Sequence, residues 1–488
     1  MADQIPTALA AVEAALADLF SLPNNLGIRL RRLVLPTEPV TQLVALFVHG
    51  MADEDLVRSL VIEPVEQAAA QEGAPRLLPD DMMALLPAPR VTRSRSISAT
   101  VAAVLDGVTA LFFDRSGEAV LVGTERRPKA AIPLAGVAPN EAFVSNMADS
   151  IVLLRTRVRD PRLVAEPLPP PKPAVADPPD TLGWQRRQPA PGICLVYLKG
   201  RAAPELLDRI RQWVDRRVSE ARVQLGRSTG LAAAFGLLPE VMTTGWADQA
   251  APMISAGYVA ILVDQVPYAC VAPVTASALM YSPDDETLAR PIATVTRFTR
   301  LLLFALIVLG PAMVVALLSY HQEMIPTPLL LAVSASRMSL PLPIVATVVT
   351  LELYQEMVRI AANKLPAFLP AGSAIVGAKV LILIMIMAGI VGPLPAVVSV
   401  LVQYATFGLP SYDALYMARI WRFWLIAGAG IFGLAGMATI SFLLAAYMSQ
   451  ADSFGVPFGG ADGLCMVPTG QSPGKGKGGN LCAPGASR

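Results

Sequence analysis

The amino-acid sequence predicts a cytoplasmic α/β N-terminal region of two related subdomains, followed by an all-α polytopic membrane domain with broken helices. Three observations carry that reading. Charged residues are frequent up to about Arg290, whereas long stretches beyond Arg300 hold none. Twenty residues without a formal charge separate Arg300 from His321, and further charge-free runs span Val380 to Tyr412 and Phe423 to Ala451. Twenty residues of α-helix rise about 30 Å, the thickness of a bilayer's hydrocarbon core. Within the first half, a strand–glycine–helix pattern followed by a strand pair occurs twice.

Composition narrows the function classes. A hydrophobic content of 54% and a mean hydropathy of +0.52 average over two unlike halves. A net charge of +1 gives no electrostatic ground for a nucleic-acid partner. The four cysteines (Cys194, Cys270, Cys465, Cys482) are scattered, with no CxxC pair, so neither a zinc site nor a disulfide framework is expected. The opening MADQIPTALAAVEAALADLF carries Asp3, Glu13 and Asp18 and no basic n-region, so it does not read as a signal peptide. Arg297 and Arg300, just before the first apolar run, favour the cytoplasm for the preceding half.

In chain order, the first residues read as a short amphipathic helix ended by Pro23 and Asn24-Asn25. Gln42 to Gly50 is a short apolar run closed by glycine and predicts a buried strand. MADEDLVRSLVIEPVEQAAA, acidic in its first turn, predicts a helix. Thr109 to Phe113 and Ala119 to Gly123 predict a strand pair around a turn at Asp114 to Gly117. The pattern returns in GICLVYLKGRAAPELLDRIRQWVDRR and in MISAGYVAILVDQVPYACVAP, where Asp264 stands as Asp114 does. EPLPPPKPAVADPPD, with seven prolines, cannot hold a helix or a central strand and predicts a linker between the subdomains. The expected domains are therefore 1–165 and 184–290 for the α/β subdomains, 166–183 for the linker, 291–458 for the membrane domain and 459–488 for a disordered Gly/Pro-rich tail.

No HExxH, GxSxG or paired-carboxylate pattern stands in the first half, so the chain is expected not to be an enzyme and to need no cofactor. GAGIFG (Gly428 to Gly433) matches GxGxxG, but it lies in a charge-free run, where close helix packing by small residues is the better reading. The polar residues of the second half say more. His321 and Glu323 precede a break at IPTP; MSLPLP and VGPLP mark two further breaks, and Gly310-Pro311 interrupts the first run. Broken helices at membrane depth are tolerated where they are buried in protein or line water. Glu352, Glu356, Arg359 and Asn363 follow at spacings of four, three and four, on one face of a helix. They are candidates for a pore-facing or subunit-interface stripe, with Glu352 and Glu356 setting a cation preference.

HQEMIPTPLL, LPLPIVATVVTLELYQEMVRIAANKLP and SFGVPF together resemble the membrane region of the GerA-type spore germination receptor A subunit family. EAFVSNMADSIVLLRTRVRDPRL and GYVAILVDQVPYACVAP are similar to that family's soluble segments, so the resemblance covers roughly residues 40 to 458. Two soluble motifs depart from the family pattern. GVAPNEAF stands where the family usually has Gly-Pro-Arg-Glu-Gly-Phe, and TGWAD where it has Thr-Glu-Arg-Pro-Asp.

The resemblance implies a multi-pass protein of the spore inner membrane with cytoplasmic N-terminal domains. It implies a B subunit (a multi-pass membrane protein that senses the nutrient) and a C subunit (a lipoprotein) as partners. It further implies oligomerisation in the lipid bilayer into an ion channel that opens when nutrient binds. The stage V sporulation AF-type protein shares the architecture; a secondary transporter of a small solute and a membrane scaffold are the readings from other classes.

The composition of the tail leads to a first expectation. Gly, Pro and Ser bury too little apolar surface to offset chain ordering. A chain truncated after Phe458 should accumulate in membranes as the full chain does, by immunoblot of the membrane fraction; loss of the protein would count against a dispensable tail.

Overall fold

The computed structural model describes residues 3–35, 40–69, 78–125, 142–168, 192–220, 238–338, 340–362 and 371–459. They fall into two compact units: an α/β unit within residues 3–220 and 243–273, and a helical unit within 238–242 and 274–459.

The α/β unit opens with α1 (Leu9–Phe20), β1 (Ile28–Leu35), β2 (Thr41–Val48) and α2 (residues 54–69, with a π-helical turn at Arg58–Ile62). Then come α3 (Pro79–Leu85), β3 (Val91–Ser94), α4 (Ile97–Leu105), β4 (Thr109–Phe113) and β5 (Ala119–Val122). The five strands form one antiparallel sheet in the order β1-β2-β4-β5-β3. Alternate residues feed two cores. Val44, Leu46, Ala110 and Phe112 pack under α1 and α4, while Leu43, Ala45, Leu111 and Phe113 meet Val61 and Val65 of α2 and Met82 of α3. Cover on both faces explains why β2 and β4 read as continuous apolar runs rather than alternating ones.

A second module repeats this plan: α5 (Met147–Arg157), β6 (Leu163–Leu168), β7 (Ile193–Leu198), α6 (Pro204–Glu220), β8 (Met242–Thr244), α7 (Ala247–Ala256), β9 (Val259–Val263) and β10 (Ala269–Ala272). Its sheet runs β6-β7-β9-β10-β8, the first order shifted by five. The likeness extends to single hydrogen bonds. Asp114 Oδ1 accepts from the Leu9 amide that opens α1, and Asp264 Oδ1 from the Met147 amide that opens α5, at 3.4 Å each. The following residues, Arg115 and Gln265, both turn left-handed (φ 63 and 68). Their amides donate to Thr7 and Ser145 at 2.8 Å. Gly107 and Gly257 close α4 and α7 at φ 95 and 107, where an added Cβ would press on the carbonyls of Met51 and Arg201.

This equivalence moves the expected boundaries. The second module begins before α5, and the boundary expected at residue 165 falls inside β6. The proline-rich stretch joins β6 to β7, neighbours in one sheet, rather than two subdomains. Pro167 is accommodated because β6 is an edge strand of its sheet. Residues 169–183 lie outside the described residues, as does the tail from 460.

One buried polar knot holds the modules together. Asn25 Nδ2 donates to the carbonyls of Phe20 (2.8 Å) and Leu163 (3.1 Å), and its Oδ1 accepts from the Ala165 amide (3.0 Å). Arg155 of α5, fully buried, donates through Nη2 to Asn25 Oδ1 at 2.6 Å and to the Leu26 carbonyl at 2.9 Å. Desolvation holds its guanidinium down at about 10.

The helical unit contains α8 (Ala276–Met280), α9 (Asp284–Thr287), α10 (Arg290–Ser319), α11 (Thr327–Arg337), α12 (Ile344–Ala362), α13 (Ala371–Met387), α14 (Pro393–Thr406) and α15 (Tyr412–Gln450). Two of these, α10 and α15, are long and apolar enough to cross a membrane. The expected interruption at Gly310-Pro311 does not occur: α10 continues through Pro311. Gly310 instead lets α14 approach, since a Cβ there would meet Val402 at 3.3 Å and Val398 at 3.7 Å. The breaks expected around IPTP, MSLPLP and VGPLP separate α10 from α11, α11 from α12 and α13 from α14.

Helix α15 is two legs. At Gly433 the backbone takes φ 62, ψ −139, a region open essentially to glycine alone. Beyond it Gly436 lies against the carbonyl of Gly428. A straight helix would hold residues eight apart at about 12 Å, so the chain folds back here. The GAGIFG glycines thus serve close packing, Gly430 also lying against Val345 of α12. Tyr320, just past α10, donates its hydroxyl to the carbonyls of Gly430 (2.7 Å) and Ile431 (3.1 Å), which the break strips of helical partners.

At the opposite end of the unit Arg300 Nη1 and Arg297 Nε reach Asp285 Oδ2 at 2.6 and 3.3 Å. There also the hydroxyl of Ser453 accepts from the Val274 amide (2.9 Å) and donates to the Glu240 carbonyl (3.0 Å), while the Ala276 amide donates to the Phe458 carbonyl (3.0 Å). The SFGVPF segment therefore ties the exit of α15 to the approach of α10.

The core of the α/β unit sets a chemical expectation. Burial pushes the Cys194 thiol from 9.0 up to about 12. The folded state keeps this proton while the unfolded thiol releases it, so the contribution to stability is full below about pH 9 and is lost as pH rises towards 12. Cys194 should resist iodoacetamide at pH 9 in the native protein and react in urea. Mass-spectrometric detection of native labelling at the unfolded rate would contradict this packing.

Candidate functional site

The helical unit buries charge among apolar helices. The sequence of α12 starts with β-branched and apolar residues after Pro343 and continues with Glu352, Gln355, Glu356 and Arg359 along one face. This face meets the first leg of α15, which presents Arg419 and Arg422 three residues apart. Glu352 and Arg422 are both wholly inaccessible (0%), with Arg422 Nη1 2.9 Å from Glu352 Oε2. Glu356 is shared: Arg419 Nε donates to its Oε1 at 2.7 Å, Arg359 Nη1 lies at 3.3 Å and Arg422 Nη2 at 3.6 Å.

Three guanidiniums thus surround two carboxylates, leaving an excess positive charge. Proximity does not satisfy every polar atom. The Glu352–Arg422 approach lacks hydrogen-bond alignment, and both Glu352 oxygens and the Arg422 nitrogens have no hydrogen-bond partner among the described residues. Buried groups of this kind are ordinarily met by water.

The polar seam continues through α14. Gln355 Nε2 donates to the Ser399 carbonyl at 2.7 Å and contacts its hydroxyl, while Gln355 Oε1 lacks a partner among the described residues. Gln403, one turn beyond Ser399 and also buried, accepts from Lys379 Nζ of α13 at 2.8 Å. Lys379 also stands 5.0 Å from the centre of the Tyr404 ring. The seam therefore runs from α15 through α12 and α14 to α13.

The sequence-predicted residues divide accordingly. Glu352, Glu356 and Arg359 come together, but Glu352 faces inward to Arg422 rather than to the surface of the unit. An uncompensated carboxylate is too costly among apolar helices, and the nearest cation draws it in. His321 and Glu323 lie elsewhere, at the fold-back: His321 Nδ1 is 3.3 Å from Glu323 Oε1, and the ring borders Gly433. Asn363 lies outside the described residues.

Lys379 and Arg422 stand at the edges of charge-free runs, and Arg419 three residues before Arg422 in RIWRFW; that spacing is the signal in the sequence, which does not show their role as partners. No group of three His, Cys, Asp or Glu among the described residues is placed to hold a metal ion.

An α/β unit of two like modules, combined with apolar helices that bury a charged seam, defines a class of two-part protein with a helical half of membrane-spanning character. Residues 16–461 match the model of the Bacillus/Clostridium GerA spore germination protein family, and the chain belongs to that family.

It is 25% identical to spore germination protein KA of Bacillus subtilis (strain 168), over 88% of this chain and 77% of that one. It is 26% identical to spore germination protein GerLA of Bacillus cereus, over 90% and 87%. Among solved structures, the N-terminal domain of the A subunit of the Bacillus megaterium spore germinant receptor GerK3 matches with a TM-score of 0.39 and 14% identity, covering 55% of this chain and 96% of that domain.

The buried pair yields a stability test. Arg422→Met strands the Glu352 carboxylate and should cost about 3–5 kcal/mol, whereas adding Glu352→Gln should recover most of it. The thermal aggregation midpoint of detergent-purified protein reads both changes. Equal midpoints for the single and double variants would mean that the two residues are not coupled.

Proposed function

We propose that the chain is the A subunit of a nutrient-germinant receptor of the spore inner membrane, oligomerising into a ligand-gated ion channel that starts germination. Its role is conduction or signalling rather than catalysis, in company with a multi-pass B subunit and a lipoprotein C subunit. The observation that carries the channel reading is the charged seam, since intramembrane ionisable groups of this density mark ion or proton pathways far more often than they stabilise a fold. Membership of the spore germination family supports the receptor role.

The helical unit fits a multi-pass arrangement. Its entry (Val274) and exit (Ser453) are hydrogen-bonded to each other, which supports an even number of crossings. Helices α10, α12, α13 and α14 with the two legs of α15 make six, both ends facing the cytoplasm with Arg297 and Arg300. Helix α14, with 14 residues, rises only about 21 Å and is the short, proline-started piece of a broken helix.

Full-length protein co-expressed with B and C subunits and reconstituted in liposomes tests this reading. Addition of a nutrient mixture should release trapped ions at rates far above transporter turnover, and Arg422→Met should abolish the release. Saturable exchange of a solute, with no conductance, would favour a carrier and overturn the channel.

A further inference from the structure

Lys379 occupies an unusual place. It is the ninth of the 17 residues of α13, about 12 Å from either helix end at 1.5 Å per residue, which is beyond the reach of its side chain. Its depth can be fixed independently. It donates to Gln403, adjacent to Val402, and Val402 packs on Gly310, the midpoint of the charge-free run of α10. The ammonium therefore lies level with the middle of that run and cannot snorkel to either surface. It is only half-buried, and its neighbours Val376, Val380 and Leu383 are exposed, as is Tyr404. Among the described residues one of its three N–H donors is filled, through Gln403, while the Tyr404 ring offers its face. Lipid contact at this depth is costly even on the lenient insertion scale. The only acidic side chains of the seam, Glu352 and Glu356, are already taken by Arg422, Arg419 and Arg359.

We propose that Lys379 faces an aqueous path in the assembled protein and that its ammonium sets the charge preference of that path, disfavouring cations at mid-depth. The inference rests on the channel reading above. Water fills the two free donors, and Gln403 and Tyr404 hold the side chain against α14. In a ring of copies the ammonium repeats around the axis, where basic side chains favour anions. Charge preference then comes from Lys379 rather than from the carboxylates of α12, which the arginines of α15 neutralise.

Two measurements on the full chain with its co-expressed subunits in lipid vesicles decide the matter. With the four native cysteines replaced by serine, Lys379→Cys should be labelled by a membrane-impermeant charged maleimide, whereas Ile382→Cys, on the buried face of α13, should not be. In the same vesicles Lys379→Gln should raise the cation-to-anion permeability ratio by about fivefold to tenfold, Lys379→Glu should raise it further, and Lys379→Arg should leave it near wild type. Absence of labelling at position 379 would overturn the proposal, as would labelling accompanied by an unchanged permeability ratio in Lys379→Glu. Vesicles of the native protein that carry no nutrient-evoked current would instead overturn the channel reading, and labelling would still decide whether Lys379 meets water.

Discussion

The contact on which the helical unit depends is the burial of Arg422 against Glu352. Neither group has any exposure, and each is tolerable only because the other is there. Removal of either partner leaves a charge with no water to retreat to, so α12 and the first leg of α15 are bound by necessity more than by attraction. The rest of the unit follows from that constraint. Leg 412–432 must lie along α12, which brings Gly430 against Val345 and carries the leg to the fold-back at Gly433. Tyr320 then closes the carbonyls left open there.

In the α/β unit the governing device is repetition. Asp114 and Asp264 each bind the start of the first helix of their own module, so each module closes its last strand onto its own beginning. Asn25 and Arg155 add a buried polar seam between the copies, with the exposed pairs Lys199–Asp18 and Arg159–Asp106 beside it. Among the described residues Arg155 is held without a carboxylate, and its positive charge rests on carbonyl and carboxamide oxygens. Within the second module, the two segments that depart from the family pattern meet: Ala142 bridges Trp246, and the Phe143 amide donates to the Gly245 carbonyl at 2.9 Å. A change in one is therefore a change in the surroundings of the other.

Much of this was legible in the sequence, for reasons particular elements make plain. Strands β2, β4, β7 and β9 announced themselves because sheets covered on both faces demand unbroken apolar runs. Strands β1 and β3 did not, since edge strands carry polar outer residues such as Arg29, Arg31 and Arg93. Proline breaks were visible because proline acts locally. The continuity of α10 through Pro311 was not, because it depends on what α14 places beside Gly310. The charged stripe of α12 could be read from its spacing. Its partners could not, because Arg419 and Arg422 lie some sixty positions away and helix spacing says nothing of which face meets which.

The position of the proline-rich stretch has a consequence for how the chain tolerates change. Leu168 and Ile193, the last and first strand residues beside it, are paired neighbours in one sheet, and such strands stand only about 5 Å apart. The stretch therefore leaves and re-enters the fold at one spot, as an excursion rather than a bridge. Beyond β6 it has no duty to space the two modules, which meet through Asn25 and Arg155 and through the surface pairs Lys199–Asp18 and Arg159–Asp106. A change in the number of residues between Leu168 and Ile193 therefore need not alter the spacing of the two modules.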